Sequence, residues 1–289
     1  MFAVIGGSGF EKFEEFEVIE KLNIETPFGS HSTGLKKVKV DKTEFLFVSR
    51  HGDHHELLPS EINYRANIYA LKKLGAKQIL SFSAVGSLKK EYAPGDCVIP
   101  FQYMDRTKSR VSTFLGDGLI GHVSLAQPIC EMTAGRALEL VKQIPSTHFN
   151  DSFKIHSKQT YICIEGPYFS TQAESNSYRL LGADIIGMSN FPEYALAREA
   201  GLPYVPFCFV TDYDCWDSSI PHVTVEEVIK VMKGNNVKAF SILKTLLTVP
   251  EISSESKAPH GGLKTGLFMD PAQIPENKKE WLKVLTEPN

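Results

Sequence analysis

Cysteine is scarce in this 289-residue chain, and Cys97, Cys130, Cys163, Cys208 and Cys215 form neither a C-x-x-C pair nor a zinc-site spacing. An odd number of widely separated thiols, mostly inside apolar segments, argues against a disulfide framework. It predicts reduced, buried side chains and a cytoplasmic protein. Excess positive charge is missing too: 31 Lys and Arg against 34 Asp and Glu leave a net charge of −3. Nucleic acid and anionic membrane are therefore not expected as partners, whereas a small molecule is. No apolar run approaches the length of a bilayer span, and the opening "MFAVIGGSGF" lacks a basic stretch followed by a long apolar one. Neither membrane insertion nor secretion is expected. Internal repeats are also absent, and with 42% hydrophobic residues the chain can build one large domain or two modest ones.

What is present is an alternation. "FAVIG" (2–6), "FLFV" (45–48), "QILSFS" (78–83), "YICIEG" (161–166), "ADIIGM" (183–188) and "YVPFCFV" (204–210) read as buried strands. Between them, "INYRANIYALKKLG" ends at a Gly75 cap, "STQAESNSYRLLG" opens with Thr171 and Glu174, and "FPEYALAREAG" ends at Gly201. A Thr224 to Glu227 capping box starts the helix that follows. Strands alternating with helices predict an α/β fold on a largely parallel or mixed sheet covered on both faces. The main domain is expected over 1–250. Residues 251–289 break the pattern with Ser, Pro and Gly before a short helix, and read as an appendage packed on the same or a neighbouring subunit, with a flexible tail as the alternative.

Several strand ends carry polar or small residues. "VIGGSG" at 4–9 can cradle a phosphate, with the Ser8 hydroxyl as a donor. A dinucleotide site is the rival, but it needs G-x-G-x-x-G leading into a helix. Counting on from Gly7 and Gly9 gives Lys12, and the next segment reads as strand, which disfavours an oxidoreductase. In "SRHGDHHELLP", Arg50 and His51 suit a phosphate dianion. His51, His54 and His55 could instead hold a metal, but no carboxylate or cysteine cluster completes a ligand set, so none is expected. "SAVGSL" ends a strand in small residues against which a flat ligand can slide. Phe169 can stack on an aromatic ring, with a core position as the alternative, and Ser170 adds a hydroxyl. Met188 offers a soft surface for a sugar, and Ser189 a hydroxyl at a helix start.

The last strand runs into "TDYDCW". In an extended chain Asp212 and Asp214 share one face while Tyr213 points the other way, so two acids converge on one pocket. A turn capped by Asp is the alternative.

In this order, "GGSG", "RHG", "NYRANIYALKKLGA", "SAVGSL", "IEGPYFST", "GMSN" and "TDYDCW", spread over roughly residues 2 to 250, resemble the trimeric purine nucleoside phosphorylase family, closest to its 5′-methylthioadenosine phosphorylase branch. The resemblance implies a mixed sheet with a distorted barrel, a homotrimer, and phosphorolysis of an N-glycosidic bond. Inorganic phosphate would be a co-substrate, with no cofactor. It further implies that Ser8, Arg50, His51, Ser83 and Ser189 hold phosphate, with Ala84 close by, and that Met188 lies along the ribose. Val85, Gly86, Phe169 and Ser170 would line the base, with Asp212 and Asp214 facing its N7 and exocyclic amino edge. Val225 and Val228 would wall the 5′ substituent, and His122 in "GHVSLAQP" would reach the neighbouring subunit's site. The chain differs from the usual family pattern at Tyr168, where arginine is usual, at Gly187, where asparagine is common, and at Ser8, Ser83 and Ser189, where threonine is common.

Two adjacent acids fit this chemistry. Cleavage pushes electrons into the purine, so a proton donor at N7 lowers the barrier, and burial or a like charge can keep a carboxyl protonated. Asp212 is the expected donor, while a carboxylate beside it accepts from a 6-amino group and repels a 6-oxo one. The alternatives are a phosphorylase for 5′-methylthioinosine or 6-oxopurine nucleosides, and a degenerate nucleoside-binding protein.

Overall fold

The computed structural model describes all residues except 12, 14, 146–148, 150–152, 220–223, 253–260 and 288–289. Its centre is built from runs that are apolar without alternation, because both faces are covered. β1 (Phe2–Gly6) is buried throughout and lies between the parallel strands β4 (Thr43–Ser49) and β5 (Gln78–Ser87). β3 (Lys36–Val40) and β2 (Glu17–Lys21) extend the sheet antiparallel beyond β4. β2 is exposed at every position and carries charges, which discourage edge-to-edge pairing.

On its other side the sheet curls. The order runs β5, β8 (Ile185–Gly187), β7 (Ile155–Ile164), β6 (Cys97–Arg106), β9 (Tyr204–Asp212), and β9 pairs back onto β5, closing a small barrel of mixed direction. Closure makes β5 the hinge between open sheet and barrel. Its register with β9 slips between Val85 and Gly86, a local irregularity that bends the strand and sets Gly86 opposite Asp212. A Cβ at Gly86 would lie 3.0 Å from the Asp212 Oδ1, so the small residue leaves room for the acid.

The helices form where the caps predict them. Asn63 accepts from the Ala66 N–H to open α1 (Tyr64–Lys73), and Gly75 closes it at φ +84°. Thr171 and Glu174 form a reciprocal capping box at α3 (Gln172–Leu180). Ser189 precedes α4 (Asn190–Glu199), and Thr224 caps α5 (Val225–Leu246). Some elements, β3 and the short turn at 263–266 among them, were not read in the sequence, and for two others the reason is local. β6 contains Pro100 at a register irregularity, which hides its period, and α2 (Glu131–Val141) has no side-chain cap at Cys130.

Described residues beyond 260 pack against their own chain. α6 (Leu263–Gly266) leads to α7 (Glu276–Thr286), whose Trp281, Leu282 and Leu285 enter the main core, with Trp281 edge-on to Phe28 at 5.1 Å. The Gly266 carbonyl accepts from the His122 N–H at 2.7 Å. Among the described residues, no helix is long and apolar enough to cross a membrane.

Candidate active site

A cavity of about 580 Å³ opens where the carboxyl ends of β1, β4, β5, β8 and β9 meet the start of α5. That is the position expected for a ligand in an α/β sheet, at a size that suits a small molecule. It is lined by Ser8, His51, Ser83, Ala84, Val85, Gly86, Phe169, Ser170, Met188, Ser189, Asp212, Asp214, Val225 and Val228, so residues from seven separate stretches of sequence converge.

At one end stands the acid pair. Asp212 ends β9, but Asp214 lies beyond the strand at φ +52°, so a left-handed turn, and not strand alternation, brings the two together. The Asp214 N–H donates to Asp212 Oδ1 at 2.8 Å and the Thr211 hydroxyl donates to Oδ2 at 2.7 Å. Burial raises the Asp212 carboxyl, and these two donors pull it back toward the ionised form. Asp214 differs: its Oδ2 is buried without a hydrogen-bond partner, and burial, opposed in part by the nearby Ser175 hydroxyl and reinforced by the Asp212 charge, pushes its carboxyl up to about 6. Burial raises both carboxyls, and the unpartnered oxygen makes Asp214 a candidate donor beside the Asp212 expected from sequence. Ser170 Oγ is also buried and unpartnered beside them, whereas Phe169 is 54% exposed and belongs to the cavity wall instead of the core.

In the middle, three hydroxyls converge. Ser8 follows β1, Ser83 lies on β5, and Ser189 precedes α4 without spending its side chain on a cap. His51, at the end of β4, donates Nδ1–H to the Leu57 carbonyl at 2.9 Å. Burial and then the Arg50 charge lower its pKa to about 4, so at neutral pH its Nε2 is an acceptor, suited to the hydroxyl of hydrogen phosphate or ribose.

Arg50 does not line the cavity. It is fully buried behind the Ser8 loop, where a Cβ on Gly7 would lie 2.2 Å from its Nη1. Its Nε and Nη2 donate to the two Glu193 oxygens, each at 2.7 Å, and Nη1 donates to the Phe82 carbonyl at 3.2 Å. Burial works against its charge, but Glu193 outweighs that and holds the guanidinium charged. The fork is therefore spent on Glu193 and on the backbone beneath the hydroxyls. His122 is exposed, outside its own chain's cavity, with its ring 6.4 Å from that of Phe268.

The far end is apolar. Val225 and Val228 are joined by Ile229 and Met232, one and two turns along the same face of α5, and by Leu57 and Leu58. The helical period already implied Ile229 and Met232. Glu11 and His55 also line this region, paired at 2.6 Å, and the Glu11 bond raises the pKa of His55. Forty-four positions separate them, and no local pattern announces the contact.

The model of the phosphorylase superfamily matches residues 1–248. The chain belongs to the phosphorylase superfamily. The S-methyl-5′-thioadenosine phosphorylase of Thermosynechococcus vestitus is 43% identical over 98% of this chain and 96% of that relative. The enzyme of the same name from Geobacter sulfurreducens is 42% identical over 98% and 96%. Among solved structures, a methylthioadenosine phosphorylase from an Antarctic soil metagenomic library superposes with a TM-score of 0.89 at 40% identity, covering 98% of each chain. The Schistosoma mansoni methylthioadenosine phosphorylase in complex with adenine gives 0.79 at 35% identity, over 86% of this chain and 90% of that one.

In this superfamily member Gly187 has a local cause. A Cβ there would meet the Tyr161 hydroxyl at 2.1 Å, so Tyr161 fills the space that a side chain would need. The glycine leaves the room that the Tyr161 hydroxyl occupies.

Proposed function

We propose that this phosphorylase cleaves 5′-methylthioadenosine with inorganic phosphate, giving adenine and 5-methylthioribose 1-phosphate, without a cofactor. The observation that carries the substrate is the asymmetric acid pair: Asp212 with both oxygens accepting, Asp214 with a free oxygen and a pKa of about 6. Protonated Asp214 donates to N7 as the C1′–N9 bond breaks, and Asp212 accepts from the 6-amino group. Phosphate attacks C1′ and forms the new C–O bond, so no protein nucleophile is required. The hydroxyls of Ser8, Ser83 and Ser189 orient phosphate, and Met188 lies along the ribose. The apolar wall at Val225, Val228, Ile229 and Met232 accepts a methylthio group better than a hydroxyl.

The reading includes a homotrimer in which His122 serves the neighbouring site. Exposed apolar side chains beside it, Ile120 at 56% and Phe268 at 78%, support burial by a second copy. Light scattering on the purified protein reads the assembly.

Phosphate-dependent base release measured side by side on methylthioadenosine, adenosine, methylthioinosine and inosine tests the function. Methylthioadenosine should lead. Equal or faster cleavage of the 6-oxo nucleosides would overturn the role given to Asp212, and absence of release from all four would overturn the enzyme itself.

A further inference from the structure

Ser83 lies on the cavity wall, 2% exposed, on the strand shared by sheet and barrel. A serine hydroxyl lacks the second Cβ substituent that stiffens χ1 of a branched side chain, so something else must hold it if it is to bind an anion reliably. Directly behind it stands Asn190, fully buried at the first position of α4 and outside the cavity. Its Nδ2 donates to Ser83 Oγ at 3.1 Å, and its Oδ1 accepts from the Tyr103 hydroxyl at 3.0 Å. The Cys208 thiol is the second neighbour, 3.6 Å from Ser83 Oγ and 3.8 Å from Asn190 Oδ1.

These contacts set the direction of one proton. A hydroxyl has one hydrogen and two lone pairs. With one lone pair of Ser83 engaged by the Asn190 amide, its hydrogen cannot point at Asn190 and is left for the cavity or for the weakly accepting sulfur. An oxyanion in the cavity wins that choice, because a charge-assisted hydrogen bond is roughly twice as strong as a neutral one. Tyr103 fixes the carboxamide: by donating to Oδ1 it keeps Nδ2 turned toward Ser83. Burial raises the Tyr103 pKa well above the ordinary range, so it stays a donor throughout the working pH range.

We infer that Asn190, held by Tyr103, is a positioning residue that aims the Ser83 hydroxyl at phosphate. The inference rests on the reading of the cavity as a phosphorolytic site. Asn190→Leu keeps the volume and removes the amide. It should raise the phosphate KM by about tenfold, the scale of one hydrogen bond to a charged group, and leave the methylthioadenosine KM within about twofold. In a Ser83→Ala background the same substitution should add less than about twofold, because the hydroxyl it serves is gone. Tyr103→Phe, a milder change that also serves if Asn190→Leu fails to fold, should raise the phosphate KM about threefold and likewise lose its effect beside Ser83→Ala.

A purely structural role gives a different pattern: lowered stability, both KM values moved together, and effects that add undiminished to Ser83→Ala. That pattern, or an unchanged phosphate KM in both Asn190→Leu and Tyr103→Phe, overturns the inference while leaving the enzyme's function intact. If the wild-type protein releases no base, the function falls. Calorimetric phosphate titration of the same variants then decides the role of Asn190, and a wild-type protein that binds no phosphate overturns both.

Discussion

The two ends of the cavity are built by different means. The end that carries the acids and hydroxyls grows out of barrel strands, with Ser83, Ser189 and Asp214 each less than a tenth exposed and bonded or buried before any ligand arrives. The opposite end is the first turns of a helix, where Val225 is 61% and Ile229 48% exposed. Bond cleavage needs donors fixed at the position where charge develops, which a closed strand network supplies. Discrimination between a methylthio group and a hydroxyl needs only apolar surface that becomes dry when covered, and a helix face is sufficient.

The strongest way to break this contrast is to remove the support behind the barrel end. Arg50→Met leaves the Glu193 carboxylate buried without its cation and should cost about 3–5 kcal/mol in urea unfolding, with Glu193→Leu in the same chain recovering much of it. A loss under about 1 kcal/mol would mean that the pair does not hold the barrel end together. Next in size is Asp214→Asn, which should lower kcat for methylthioadenosine about a hundredfold with the protein still folded, in the range of general acid catalysis. Asp212→Asn should instead narrow the gap between methylthioadenosine and methylthioinosine, since its amide can donate to a 6-oxo group. A larger kcat loss at Asp212 than at Asp214 would restore the order of roles expected from sequence.

The acid also sets a pH dependence. Only protonated Asp214 donates, so kcat/KM should fall as pH rises through about 6, a limb missing from Asp214→Asn. The same shift acts on stability. A carboxyl raised in the folded state binds its proton more tightly there, so its contribution is full below the unfolded value near 4 and is lost as pH climbs through about 6. Asp214→Asn should accordingly gain stability relative to wild type between pH 4 and 7, as read by thermal melts. The smallest effect belongs to the far end: methylthioadenosine should be preferred to adenosine by roughly tenfold in kcat/KM, and Val225→His should shrink that ratio by giving the 5′-hydroxyl a partner. An unchanged ratio in a folded variant would move the 5′ wall elsewhere.

Legibility followed the same division. β1, β5 and β9 could be read because burial on both faces leaves unbroken apolar runs, and α1, α3 and α5 because their caps are local. β6 escaped because Pro100 and its register slip erase the period. Ser8, Ser83, Ser189 and the two aspartates announced themselves as polar residues ending apolar strands. Arg50 announced itself equally well, but its pairing with Glu193 was not legible, because that carboxylate lies 143 positions away.

The sequence by itself determined the α/β alternation, the helix ends, the kinds of group at each strand end and the apolar face of α5, since each depends on neighbours within a few residues. Only the tertiary structure decided that β9 closes onto β5, that Glu193 takes the Arg50 fork, that Asn190 stands behind Ser83, and that Asp214 keeps an unpartnered oxygen and a carboxyl raised to about 6. Closure, ion pairing and protonation depend on which distant groups share one desolvated space, and burial sets their energies in a way that no local pattern encodes.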